Sequence, residues 1–152
     1  MTTLLDLIAT APTILAQAES RDYDPVLVWL NDPTAESTLT ERFITDRTVL
    51  AEVINPESGQ PDPLWANTIL DKMDAIATQS TLVKRAMNRL YADGLDIGSP
   101  ATQAQLDMLV GPGGLTQAEA DALKALGVRR CSRAEKHTGR FATLDDLWSL
   151  YP

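Results

Sequence analysis

The chain has 152 residues, 44% of them hydrophobic and 22% charged, with a net charge of −8; a chain of this length buries a core without covalent staples, and this composition excludes intrinsic disorder. One cysteine excludes an internal disulfide, and one histidine excludes the usual Cys/His zinc sets. No apolar run approaches the ~20 residues that span a bilayer, and the opening MTTLLDLIATAPTILAQ lacks the basic start of a secretory leader, so a domain made in the cytoplasm, with no membrane segment, is expected.

The charge is unevenly spread. Residues 1–80 carry four basic and thirteen acidic groups, whereas residues 81–152 carry nine basic and eight acidic ones. The first stretch repels a phosphate backbone and the second is close to neutral.

In chain order, Leu4, Leu5, Leu7, Ile8, Ile14 and Leu15 lay an apolar stripe on one or two short helices divided at Pro12. Asp24-Pro25 reads as an N-cap followed by proline at the first helical position, opening VLVWLN and placing Trp29 in the core. NDPTAESTLTERF reads as loop. Thr45 offers a cap for a helix with Val49, Leu50, Val53 and Ile54 on one face, and NPESGQPDP then reads as a surface loop or linker.

Asp62-Pro63 repeats the cap-plus-proline device before Leu64, Ile69, Leu70, Met73, Ile76 and Ala77. A Ser80 cap introduces TLVKRAMNRLYADG, which stops at Gly94; the two helices form an antiparallel hairpin. Lys84, Arg85 and Arg89 read as a solvated face pairing with the acidic helix before it. LDIG is a short bridging segment. Ser99-Pro100 starts a further helix that GPGG ends, Thr116 with Glu119 forms a capping box for the next, and Gly127 stops it. Ser132 with Glu135, and Thr143 with Asp146, repeat the box. The expectation is an all-α fold of about eight short to medium helices in an irregular bundle without substantial sheet, in a single domain 1–152, divisible into acidic helices at 1–98 and a C-terminal cluster at 99–152.

Ser132, His137 and Asp145 invite a nucleophile, base and orienter reading. Ser132 is better accounted for as a helix cap, and no glycine-framed nucleophile turn surrounds it. Cys131 beside Arg130 has a basic neighbour but no evident base. The carboxylate pairs Asp71 with Asp74 and Asp145 with Asp146 read as solvated helix faces, and GPGG lacks the lysine of a phosphate loop. No catalytic residue, cofactor or metal site is expected, and the chain is read as a non-enzyme. The part that folding leaves unexplained is basic. Lys124, Arg129, Arg130, Arg133, Lys136 and Arg140 place six cations within seventeen residues and are the partner-binding candidates.

GLDIGSPATQAQLDMLV, GLTQAEADALKALG, SRAE and the Thr143-Leu144-Asp145-Asp146 start, together with ITDRTVLAEV and ILDKMDAIATQSTLVKRAMNRL upstream, resemble a family of small helical proteins encoded by tailed bacteriophages over Ile44 to Asp146. GPGG and the basic Arg129-Arg130-Cys131 depart from that pattern. The resemblance implies a structural or accessory virion protein of head, neck or tail, present in the host cytoplasm before assembly. Its expected partners are other virion proteins and further copies of itself. The alternative is a DNA-contacting module using segment 124–140, since GRFATLDDL is similar to the closing segment of helix-hairpin-helix modules.

Overall fold

The computed structural model describes residues 2–152. Ten helices and six short strands follow one another as α1 (Leu4–Ala9), α2 (Pro12–Glu19), α3 (Tyr23–Asn31), β1 (Glu36–Leu39), β2 (Phe43–Ile44), α4 (Asp46–Glu52), β3 (Ile54–Asn55), β4 (Gln60–Pro61), α5 (Pro63–Ala77), α6 (Thr81–Tyr91), β5 (Leu95–Asp96), α7 (Pro100–Met108), α8 (Gln117–Ala125), β6 (Val128–Cys131), α9 (Arg133–Thr138) and α10 (Leu144–Leu150). The fold is mostly helical, but it is not the sheet-free bundle expected. Three two-stranded sheets pair β1 with β6, β2 with β5 and β3 with β4.

The strands lie mostly where loop was read, while LDIG, read as a bridging segment, gives β5, and Ile54, read on a helix face, opens β3. NDPTAESTLTERF contributes β1 and the start of β2, NPESGQPDP folds as most of the β3–β4 hairpin, and the basic Arg129-Arg130-Cys131 lies in strand β6. In the hairpin, Ile54 faces Pro61 and Asn55 faces Gln60, with Gly59 at φ 68° donating its N–H to the Asn55 carbonyl at 2.8 Å. Polar and proline residues are tolerated there because a two-residue edge pair needs few ladder bonds.

The residues pack as two units: 1–38 with 129–152, and 39–128. Gly98 and Ser99, on either side of the division expected from charge, both lie in the second unit.

The first unit gathers α1, α2, α3, α9 and α10 around Leu4, Leu7, Ile8, Val26, Leu30, Ala134 and Leu147. Asn31 ties α3 to the turn before α10. Its amide donates to the Ala142 carbonyl and its oxygen accepts from the Ala142 N–H, each at 2.8 Å. Helix α3 starts two residues earlier than the Asp24-Pro25 signal implies, with Asp22 at the cap position and Asp24 and Pro25 inside the first turn. Trp29 is half-buried against this core.

The second unit centres on Ile44, Val49, Val53, Ile69, Leu70, Met73, Met87, Leu90, Ile97, Leu115 and Leu123. Asp62 caps α5 by accepting from the N–H groups of Leu64 and Trp65, both at 3.1 Å, and Ser80 caps α6 from the Val83 N–H. Between these caps the apolar residues fall on one stripe of each helix, so α5 and α6 pack against one another. The Tyr91 hydroxyl donates to the Asp74 carboxylate across the pair at 2.8 Å. That hydroxyl is pushed up to about 12 by its burial and by this carboxylate.

Three stretches of backbone meet closely beside α8. The Thr40 N–H donates to the Gly127 carbonyl at 2.9 Å, and Ile97 donates to the Arg42 carbonyl at 3.0 Å. A Cβ on Gly98 would stand 1.6 Å from the Thr40 oxygen, and one on Gly127 would stand 2.6 Å from the Ile97 oxygen. Gln103 closes the crossing by donating to the Ile97 and Lys124 carbonyls at 2.6 and 3.1 Å.

Candidate functional site

The six basic residues singled out by the sequence divide between the two units, one and five. Lys124 lies in the second unit, on α8; Arg129 and Arg130 on β6, Arg133 and Lys136 on α9, and Arg140 just beyond it belong to the first.

Most of their charge is engaged within the chain. Lys124 pairs with Asp107 at 2.6 Å and Asp121 at 3.1 Å, and these two hydrogen-bonded carboxylates hold its ammonium above the usual lysine value. Arg129 meets Glu135 at 2.6 Å and Lys136 meets Glu36 at 2.8 Å. Arg140 grips Asp146 with two nitrogens, at 2.8 and 2.6 Å. That guanidinium, with the Thr143 N–H and hydroxyl, sets the Asp146 carboxyl far below the ordinary aspartate range. Arg133 has no carboxylate partner but is enclosed, donating to the Trp29 carbonyl at 2.8 Å and stacking on the Trp29 ring at 4.4 Å from its centroid. Arg130 alone of the six keeps a surface cation whose only partner among the described residues is a carbonyl, that of Thr34 at 3.0 Å.

The neighbouring polar residues have structural work. Ser132 is fully buried and caps α9, accepting from the Glu135 N–H at 3.1 Å. The reciprocal half of the expected box is missing, because the Glu135 carboxylate turns to Arg129. Thr116 with Glu119 and Thr143 with Asp146 form complete boxes. Cys131 is buried. Glu119 is 4% exposed and accepts from Lys72 at 2.6 Å. Burial raises its carboxyl, but Lys72 and the Thr116 N–H outweigh that and leave it lowered.

What the sequence did not disclose is how open the surface of α6 is. Lys84, Arg85 and Arg89 are exposed, and among the described residues none forms an ion pair. The acidic helix expected to neutralise them does not: Asp71 accepts from Asn67 and Asp74 from Tyr91. Beside these cations an apolar hollow of about 170 Å³ opens between α6 and α7, lined by Leu82, Ala86, Leu95, Leu106, Met108 and Leu109 among others. Leu82 is 54% and Met108 80% exposed. The available signal was the spacing Leu82, Arg85, Arg89, an apolar residue and two cations on one helix face.

The chain matches no protein-family model, no curated protein and no solved structure. No helix among the described residues is long and apolar enough to cross a membrane.

Proposed function

We propose that this protein is a non-enzymatic structural or accessory component of a tailed-phage virion, at the head, neck or tail, and works through protein–protein contacts in more than one copy. The resemblance over Ile44 to Asp146 points to the phage. One observation supports action through contacts: the α6–α7 hollow is an apolar depression rimmed by exposed Leu82 and Met108, and contiguous apolar surface left in water marks an interaction site.

The competing DNA reading relied on six cations in segment 124–140. Four of them pair with the chain's own carboxylates and a fifth is stacked on Trp29, so a phosphate would first have to displace these partners.

Mass spectrometry of purified particles tests the proposal by presence and copy number; absence from the particle overturns it. A duplex titration at two salt concentrations tests the competitor, which requires an affinity that falls steeply with salt.

A further inference from the structure

We propose that the hollow between α6 and α7 docks an amphipathic helix of another protein, one that inserts aliphatic side chains and carries glutamates or aspartates along its flank. The inference rests on the reading of the chain as a protein-contact module and names the chemistry of the partner.

The shape of the hollow fits side chains better than a free ligand. At about 170 Å³ it is well below the roughly 300–1,000 Å³ of a small-molecule pocket, and it is open along a rim where Leu82 and Met108 stand mostly in water. Its walls are mainly leucine, methionine, alanine and valine from α6, α7 and the residues around them, with Ser80, Thr102 and Gln105 as the polar members. Methionine adapts to different apolar inserts at such surfaces, and a helix laid in a groove anchors through residues at i, i+3 or i+4, and i+7.

The charge around it selects the flank. Arg89 lines an adjoining hollow that shares Leu95 and Thr102 with the first. Lys84 lines another that shares Ser80. Arg85 lies one turn from both Leu82 and Arg89 on the exposed side of α6. Six of the chain's thirteen cations are paired internally, and these three are not. Of the two acids beside Arg89, Asp96 is occupied by the N–H groups of Arg42 and Gly98, and only Asp93 remains. An approaching carboxylate therefore meets unpaired guanidinium groups able to bind it with two parallel hydrogen bonds. No aromatic ring lines the apolar hollow itself for base stacking, Phe43 and Tyr91 lying only in the adjoining ones, so the apolar walls favour aliphatic side chains as the insert.

The probe is a fluorescein-labelled helical peptide of about four turns with leucines on one face and glutamates on its flanks, titrated with the full chain by fluorescence anisotropy in ~50 mM salt. Expected is saturable binding that is absent from the peptide with serine for leucine and from the peptide with lysine for glutamate. Arg85→Glu with Arg89→Glu, and separately Met108→Asp, each weaken it by about tenfold or more with unchanged circular dichroism; Leu82→Gln serves if Met108→Asp misfolds. No binding of the acidic peptide, or binding indifferent to these variants, overturns the inference. So does displacement of the peptide by a short DNA duplex, or self-association of the chain that the same variants abolish. Absence of the protein from virions would overturn the assembly proposal and leave the groove standing, whereas a particle-bound protein that ignores the peptide overturns the groove alone.

Discussion

The guanidinium of Arg133 lies 4.4 Å from the centroid of the Trp29 ring while one of its nitrogens donates to the Trp29 carbonyl at 2.8 Å. One side chain on α9 thus holds α3 by the face of its tryptophan and by its backbone. Such a double attachment keeps an arginine half-buried without a carboxylate, since the ring's negative face substitutes for part of the lost hydration.

Arg133→Ala is therefore expected to destabilise the protein by about 1–2 kcal/mol, the combined magnitude of a desolvated cation–π contact and a charge-assisted hydrogen bond. Arg133→Lys should recover part of this, because an ammonium keeps the charge but not the planar stack. Urea unfolding followed by tryptophan fluorescence measures both, and equal losses for the two variants would contradict the stacking role.

Glu119 supplies a pH signature. Its carboxyl lies below the usual 4.5 in the folded chain, so its contribution is fully present above pH 4.5 and is lost as pH falls through the lower folded value. Glu119→Gln removes the Lys72 ion pair; its deficit against the parent should be about 1–3 kcal/mol at neutral pH and should narrow below pH 4.5. A deficit constant from pH 7 to pH 3 would show that the carboxylate charge is not what holds α5 to α8.

Gly98 is the glycine least tolerant of an added carbon. Because a Cβ there would collide with the Thr40 carbonyl, Gly98→Ala must separate two backbone segments and is expected to cost about 3 kcal/mol or more. Gly113, at the GPGG turn, has open space around it and a φ of 76°, so Gly113→Ala meets only backbone strain, of about 1 kcal/mol. Thermal unfolding of the two variants side by side checks the ranking.

Arg129 and Arg130, adjacent in sequence, should respond differently to charge reversal. Arg129→Glu puts a second carboxylate beside Glu135 and loosens the start of α9, lowering the melting temperature. Arg130→Glu gives up one bond to the Thr34 carbonyl and should leave folding unchanged. If β6 contributes to an interface, Arg130→Glu will lower incorporation into particles at constant helical content, and normal incorporation will exclude Arg130 from the contact.

Helix starts were the most legible feature of the chain. Thr116, Ser80, Asp62 and Thr143 all cap helices as their spacing implies, since a cap is a local hydrogen bond between residues three apart. The strands were not legible: with two to four residues each, none is long enough to display alternation, and in two of the three sheets the partners lie far along the chain. Phe43–Ile44, for example, pairs with Leu95–Asp96. The basic segment was visible as composition, but its neutralisation was not, because Glu36 and Lys136 are brought together only by the fold. On α6 the reverse happened. Proximity to an acidic helix suggested neutralisation, while Asp71 and Asp74 were satisfied by Asn67 and Tyr91 instead.

The division of the chain into 1–38 with 129–152, and 39–128, imposes an order on synthesis. Residues 39–128 are continuous and can complete their core once they have left the ribosome. The opening helices cannot, because Ala134, Ala142 and Leu147 of their core are translated more than ninety positions after Leu30. During that interval Leu4, Leu7, Ile8, Val26 and Leu30 have no partners from the other end of the chain. During synthesis residues 4–31 are thus open to chaperones or to premature association with a neighbouring chain.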